Sequence, residues 1–539
     1  MNKAHYKVFN IKKFKQIVLV VLFAEAITSC GGGNISTPNT PLMCGTVSYP
    51  GALTPTEILE SSKVWSFLSS PNLRPMKISV TTESAGLASG FTMITPFTAA
   101  DVLYGQPGAL MMDNSGNPLW FHPLASNLAN MDFKVQRYYE SPVLTFWQGS
   151  FLASGLSAPG SCYYILDNHY QIVKTVTAQN GFTSDGHEFL ITPNNTALFI
   201  ATKDVLLDLR PYGGAESGIV LDYSIQEIDL SNNKLIFFWD ALKHIPITNT
   251  YESVGSMSSS GNIWDVYHMN AVSLTDDHND ILVSGRNTWT IYRINKPTGN
   301  IVWQLGGKQS SFTIESSASF SWQHDARFIS NDLISMFDDN CCSSNSYTPP
   351  ETPYSHGLFL RLNFADMTAK FESSYYHNPN VNSHSEGNLQ ILDNGNIFIG
   401  WGGSPHFSEF AMGGNDVNNL QKNLLYDATI PGENTTYRAY RYDWKATPFY
   451  PPNIVATSND SGMVVYASWN GSTETKFWQI YAGTSVNDLK FVTSIAKTGF
   501  ETTIPLAGNN SSYVQVKATD TIGSVLGVSA VITESIVEN

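Results

Sequence analysis

Three histidines and an arginine, each set beside strand-like sequence, are the residues of this chain best suited to chemistry. His268 and Asn270 stand in Trp264-Asp265-Val266-Tyr267-His268-Met269-Asn270, and Arg286 follows in Ser284-Gly285-Arg286-Asn287. The pattern recurs upstream in Asp185-Gly186-His187-Glu188-Phe189 and downstream in Trp322-Gln323-His324-Asp325-Ala326-Arg327. Strand starts in a radial β-array converge on its axis. One repeated unit would therefore deliver His187, His268, His324 and Arg286 to a shared centre, around one small anion. Three histidines can also bind zinc. Against that reading, Arg286 would set a cation beside the metal, and no carboxylate obviously joins the set.

The elements that must position these residues read as strand–turn–strand pairs. One class carries Asn- or Gly-containing turns before a bulky strand, as in Met112–Trp120, Ile228–Phe237 and Ile294–Trp303. A second class begins near a histidine, as in His187–Thr202, His268–Arg286, His324–Phe337 and His384–Trp401. The classes alternate about every 45 to 60 residues, close to the period of a four-stranded propeller blade. Six blades fit between Phe91 and Trp444. No long 3.6-residue apolar period occurs, so helices are minor. An array of β-sandwiches is the plainer alternative, but its loops would scatter the histidine segments. The strand tryptophans Trp120, Trp239, Trp303 and Trp401 read as core, while Phe146 or Trp147 is a candidate to face an aromatic ligand. His169, His244, His278, His377 and His406 read as ordinary core or turn residues. A proline cluster, Pro448 and Pro451-Pro452, reads as a linker. Beyond it Val464–Trp469, Phe477–Tyr481 and Tyr513–Ala518 alternate as half-buried strands at sandwich spacing. The expected fold is all-β: a six-bladed β-propeller over residues 69–447, then a small β-sandwich over 453–539.

Composition limits the partners. Charged residues make up only 14% of 539, and the formal net charge is −15. Such a chain does not neutralise phosphates broadly, so a nucleic-acid partner is not expected. Lys3, Lys7, Lys12, Lys13 and Lys15 precede the short apolar stretch Ile17–Phe23, and small residues lead into Cys30. Residues 1–30 thus look like a bacterial lipoprotein signal, with lipidation at Cys30, export, and anchoring to the cell envelope. Residues 31–68 then form a tether and N-terminal segment. Cys44, Cys162, Cys341 and Cys342 lack metal-binding spacing and read as structural. Their pairing stays open, and neighbours such as Cys341 and Cys342 bridge only with strain.

From about Ser69 to Trp444 the chain resembles the PAPS-independent bacterial arylsulfotransferases, and more closely their secreted bacterial and fungal relatives. The motifs that carry the resemblance are Ser70-Pro71-Asn72-Leu73-Arg74-Pro75, Pro142–Gly149, Asp185–Phe189, Asp265–Asn270, Ser284–Arg286, Ile301–Gly307 and Gln323–Arg327, in that order. The C-terminal segment, with Trp469 early and Tyr513 late, resembles a fibronectin type III domain.

The resemblance implies a central-channel active site that moves a sulfuryl group from an aryl sulfate ester to a phenolic acceptor through a sulfo-histidine. By motif, His324 matches the nucleophile. His187, His268 and Arg286 match sulfuryl- and phenolate-binding residues, with Asn270 beside them. His356 and His384, with Glu386 close by, are further candidates to line the channel and bind substrate. No metal or other cofactor is required for this chemistry. The chain departs from the best-known enzymes in its short region before Ser69 and its extra C-terminal module, so oligomeric state is left open. A non-catalytic reading also stands: a lipid-anchored scaffold or aryl-anion binding protein.

Overall fold

The computed structural model describes residues 54–98, 101–152, 156–254, 263–342, 354–459, 462–507 and 511–533. Residues 1–30, read from sequence as a lipoprotein signal, and Cys44 lie outside the described residues. Strands dominate, and the one α-helix among the described residues is the single turn Ala241–His244.

Six strands organise the molecule: Ala129–Tyr138 (β1), Thr183–Ile191 (β2), Met269–Leu274 (β3), His324–Ser330 (β4), Asn388–Ile391 (β5) and Thr435–Tyr442 (β6). Each is the edge strand of its own sheet of four or five strands. They touch in cyclic order, β1 to β2 and onward to β6, and β6 returns to β1, so the six sheets form a closed ring. Two pairings join distant parts of the sequence. β6 pairs antiparallel with Phe91–Phe97, and Ser79–Glu83 pairs with Leu424–Thr429. The anticipated turns are hairpins: Gly108–Met112 with Pro118–Pro123, Gly218–Asp229 with Lys234–Asp240, and Thr290–Asn295 with Ile301–Gly306.

Apolar faces of neighbouring sheets pack on each other. Leu198, Ile225 and Trp239 from the sheet of β2 meet Tyr267, Val272, Ile281 and Tyr292 at the next sheet. The Trp239 indole N–H donates across that boundary to the carbonyl of Gly299 at 2.9 Å. Phe146 and Trp147, candidates to face a ligand, are instead fully buried. Trp147 packs among Met131, Tyr163 and Phe189 and donates its N–H to the Ser184 carbonyl, so alternation along its strand turns it into the core.

Polar residues hold the ring from within. Lys134 of β1 pairs with Asp132 and with Glu188 of β2, each at 2.7 Å. Arg327 of β4 bonds Glu188 and Asp325, and its guanidinium also donates to the Val272 carbonyl of β3. Arg438 of β6 reaches Asp132 at 2.9 Å, Glu188 at 3.2 Å and Asp325 at 3.4 Å. The backbone N–H of Leu389 in β5 donates to Asp325. Three cations and three carboxylates, all but Arg327 nearly inaccessible to water, thereby join all six inner strands. Burial alone would raise the Glu188 carboxyl, but Arg327, Arg438 and Lys134 outweigh it and hold it well below the usual range.

Two further sheets follow. Asn453–Asn459, Gly462–Ser468 and Glu501–Ala507 form one; Phe477–Gly483, Lys490–Ala496, Tyr513–Thr519, Val525–Val528 and Ile532–Thr533 form the other. Their inner faces share a core that includes Trp469, Trp478, Ile480 and Val516. They are seated on the ring: the Asn470 amide both accepts from the N–H and donates to the carbonyl of Phe121, and Tyr170 donates to the Gly471 carbonyl. The proline cluster is therefore flanked by docked surfaces.

Cys341 and Cys342, for which an internal bridge was not expected, are disulfide-bonded to each other, and Cys162 is disulfide-bonded as well.

The ionic network yields a stability test. Arg438→Met removes one cation and leaves buried carboxylates uncompensated, which costs about 3–5 kcal/mol. Lys490→Ala removes one partner of an exposed 3.7 Å pair and should cost under about 0.5 kcal/mol. Chemical denaturation of the two variants compares them directly. Equal, small losses would show that the buried network is not needed for stability.

Candidate active site

Five of the six inner strands bulge, and the bulges fall on the polar residues. The register shifts between Met131 and Lys134, Ser184 and Phe189, Met269 and Ala271, His324 and Arg327, and Thr436 and Ala439. A bulge interrupts the two-residue alternation and re-aims side chains. Neighbouring residues thus serve two adjacent centres: His187 and His324 join a histidine cluster, while Glu188 and Asp325 join the ionic network. Backbone strain accompanies the rearrangement. Asp132, His268, Asp325 and Glu386 all adopt positive φ without being glycine, at about 1–3 kcal/mol each.

His187 and His268 stand edge to face with ring centroids 4.9 Å apart, and His268 stands 6.4 Å from His324 in the same manner. Each imidazole is held by an aspartate at Nδ1: His187 by Asp185 at 2.5 Å, His268 by Asp265 at 2.5 Å, and His324 by Asp339 at 2.7 Å. Carboxylates therefore do join the set, contrary to the expectation from sequence, but they bind the outward nitrogens. The first two aspartates also accept the backbone N–H of their own histidine, so the spacings Asp-x-His and Asp-x-x-His set the ring orientation locally. A Cβ at the intervening Gly186 would lie 2.6 Å from the Met131 sulfur, so any larger residue there would displace the Met131 side chain.

His324 is 1% exposed. The backbone N–H of Glu386 donates to its Nε2 at 3.2 Å. An N–H can only donate, so Nε2 carries the lone pair and Nδ1 carries the proton. Burial, then the charges of Arg286, His268 and His187, push its basicity well below the ordinary imidazole value. Burial pushes Asp339 well up, so the pair tends toward its neutral forms. His268 is also lowered by burial. His187 behaves differently: burial lowers it, but the charge and hydrogen bond of Asp185 prevail and raise it overall. Glu386 is raised to about 7 by burial, and its Oε2 has no hydrogen-bond partner among the described residues.

Arg286 follows the strand Asp280–Gly285 and lies 4.8 Å over the Trp322 ring. It donates to the Asn287 side chain at 2.9 Å and to the His384 carbonyl at 2.8 Å, both neutral. Its Nε–H is buried without a partner, and it makes no ion pair among the described residues. Such a guanidinium is prepared for an anion. Asn270 links the cluster to the ionic network: its side chain donates to the Gln323 carbonyl, and its own carbonyl accepts from Tyr437 and Arg438.

His356 and His384 are placed elsewhere. The His356 ring stacks on Tyr376 at 4.6 Å, with its Nδ1 at the Tyr354 carbonyl, and burial pushes it down to about 4. His384 is exposed; its carbonyl holds Arg286, and its imidazole lies 3.6 Å from the Cys342 sulfur. Among the described residues, the groups of three or more metal-type side chains with donor atoms within 4.8 Å of one another are Cys341–Cys342–His384 and His377–His406–Asp427. The trio His187, His268 and His324 is not one of them. A cavity of about 630 Å³, lined among others by Gln136, Ile191, Leu274, Ile329 and Ile391, contains none of the three histidines; the ionic residues Lys134, Asp325 and Arg327 also line it.

The model of the family described as arylsulfotransferase (ASST) matches residues 134–422, more than half of the chain. The chain belongs to the arylsulfotransferase family. That membership supports sulfuryl transfer involving aryl substrates, and the matched span contains His187, His268, Asn270, Arg286 and His324. Strand β6 with Arg438, and the two C-terminal sheets, lie outside it. No curated protein matches the chain. Similar solved structures include a protein of unknown function from Bacteroides caccae (12% identity, 65% of this chain and 98% of that chain, TM-score 0.36). TolB from Acinetobacter baumannii (9%, 66% and 68%, 0.35) and the periplasmic gluconolactonase PpgL from Pseudomonas aeruginosa (12%, 75% and 96%, 0.27) are others. At these values the likenesses support no statement about function.

The depressed basicity of His324 has a measurable consequence. Its folded-state pKa lies below the unfolded value of about 6.5, so above that pH it leaves stability unchanged. As pH falls below 6.5 the unfolded chain takes up the proton first, and stability declines. In ¹⁵N-edited NMR of the folded protein, His324 should remain the neutral Nδ1–H tautomer at pH 6, while His187 is already largely protonated. A protonated His324 at pH 6 would contradict the geometry.

Proposed function

We propose that this chain is an exported, PAPS-independent aryl sulfotransferase that works through a sulfo-histidine at His324. The observation that carries the reading is the neutral Nε2 lone pair of a buried histidine, set in a cluster with a cation that has no counter-ion among the described residues. The six sheets act as the blades of a β-propeller, and the channel along its axis receives the aryl sulfate.

Arg286 engages two sulfuryl oxygens with its planar fork, and its charge grows in value as water leaves. The His324 Nε2 lone pair attacks sulfur in line with the aryl–oxygen bond. That bond breaks and its electron pair leaves with the aryloxide. By analogy with phosphoryl transfer, the transition state is loose and the protein supplies position and charge. His187, the most basic of the three histidines, gives the departing aryloxide its proton. In the second half a phenolic acceptor enters. Its oxygen attacks sulfur, the N–S bond returns its pair to His324, and the phenolic proton returns to His187. Asp339 keeps the His324 proton on Nδ1 throughout, so Nε2 is the reacting nitrogen.

The remainder of the reading concerns placement. The basic N-terminus and Cys30 serve as a lipoprotein signal, leaving the enzyme lipid-anchored to the envelope; the final two sheets act as a fibronectin type III-like module that spaces or attaches it.

Incubation with an aryl sulfate and no acceptor should leave a labile SO₃ adduct on the peptide containing His324, detected by mass spectrometry. His324→Ala and His324→Asn should abolish it. Arg286→Lys keeps the charge but loses the fork, lowering transfer at least tenfold, because one transition-state donor is worth about 3 kcal/mol. Near wild-type transfer in His324→Ala would reject the assignment.

A further inference from the structure

We propose that His377, His406 and Asp427 form a site for one divalent transition-metal ion of the zinc class, remote in chemistry from the histidine cluster. The starting point is a hydrogen-bonding conflict. His377 is 1% exposed, and both of its ring nitrogens face acceptors: Nδ1 lies 2.6 Å from the Pro379 carbonyl, and Nε2 lies 2.9 Å from Asp427 Oδ1. A neutral imidazole has one N–H. Donating from Nδ1 to the carbonyl leaves the Nε2 lone pair facing a carboxylate lone pair, an arrangement that needs a proton between them or a metal ion bound to both.

A second proton could meet that need, but the surroundings favour a metal. His406 packs against His377 with ring centroids 4.2 Å apart, and one ligand atom from each of the three residues lies within 4.8 Å of the others. Two adjacent imidazoles beside one carboxylate suit a shared metal ion. The outer partners are also those that orient ligands. His377 Nδ1 is fixed by a backbone carbonyl, and His406 Nδ1 lies 3.1 Å from the Thr429 hydroxyl. Asp427 accepts from Ser408 at 2.7 Å and from Thr81 at 2.6 Å, and Ser408 in turn accepts from the Trp401 indole. Two histidines and an aspartate match zinc's preference for nitrogen and oxygen ligands, with a remaining position for water on the half-buried side of His406.

The site would work as a staple. His377 follows the strand Thr368–Tyr376, whereas His406 and Asp427 belong to the next sheet, on His406–Phe410 and Leu424–Thr429. The metal would fix the start of the connection between those sheets. That connection carries His384 and Glu386, whose backbone carbonyl and N–H hold Arg286 and His324.

The full-length protein, equilibrated with zinc and then passed through metal-free buffer, should retain one zinc per chain by elemental analysis. Its Tm should rise with added zinc. Cobalt(II) in place of zinc should give the visible absorption of a low-coordinate nitrogen–oxygen site. His406→Gln, at the more accessible ligand, should lose the zinc and the Tm response, and its Tm should equal that of the wild type in chelator. Should that variant fail to fold, the cobalt spectrum and stoichiometry of the wild type still decide. No retained zinc in the wild type, or retention undiminished in His406→Gln, would overturn the site and leave His377–Asp427 as a plain ion pair.

Discussion

Everything in the central ring depends on a buried balance of charge. Lys134, Arg327 and Arg438 face Asp132, Glu188 and Asp325, three against three, in a space that excludes water. Ions there are stable only when each is met by opposite charge and hydrogen bonds. The network also spans all six inner strands, through side chains or backbone groups. A ring of sheets held by apolar packing alone could slide by a residue; one locked by directional ion pairs cannot do so without stranding a charge. Registry of the strands, and with it the position of every residue in the histidine cluster, follows from that constraint.

Neutral overall, the network leaves the neighbouring site to set its own electrostatics. Arg286 has no carboxylate partner among the described residues, and it joins burial in keeping His324 unprotonated. Asp185 acts oppositely on His187. Three imidazoles of one chemical type therefore acquire different basicities from differences in burial and charge. That separation lets one histidine present a lone pair while another holds a proton, the division that a double-displacement transfer needs.

Much of this was legible in the chain. Turn residues such as Gly116, Asn233 and Gly299 marked hairpins because few other residues take positive φ, and the alternation of histidine-bearing segments indicated a repeated sheet. Polar residues set into apolar strands picked out His187, His268, His324 and Arg286. Other features were not read. The aspartates at Nδ1 stood within two or three residues of His187 and His268, a visible signal, but Asp339 reaches His324 from the next strand and only folding brings it there. The ionic network was missed because strand alternation says nothing about bulges, which place Asp325 and Glu188 beside, not opposite, the cluster histidines. Arg438 did carry a hint, as a cation within the aromatic run Tyr437–Tyr442. Of the further histidines, His356 stacks on Tyr376, and His384 is exposed and holds Arg286 through its backbone carbonyl. Cys341 and Cys342 bridge each other although their spacing argued against it.

The central claim is that His324 Nε2, and no other atom, receives the sulfuryl group. The most direct test is a crystal structure of the protein reacted with an aryl sulfate in the absence of acceptor and frozen before hydrolysis. The account predicts tetrahedral density bonded to His324 Nε2, with Arg286 on two of its oxygens and the Nδ1–Asp339 contact intact. Density on His187 or His268, on Nδ1 of His324, or a metal ion bridging the three imidazoles would contradict it.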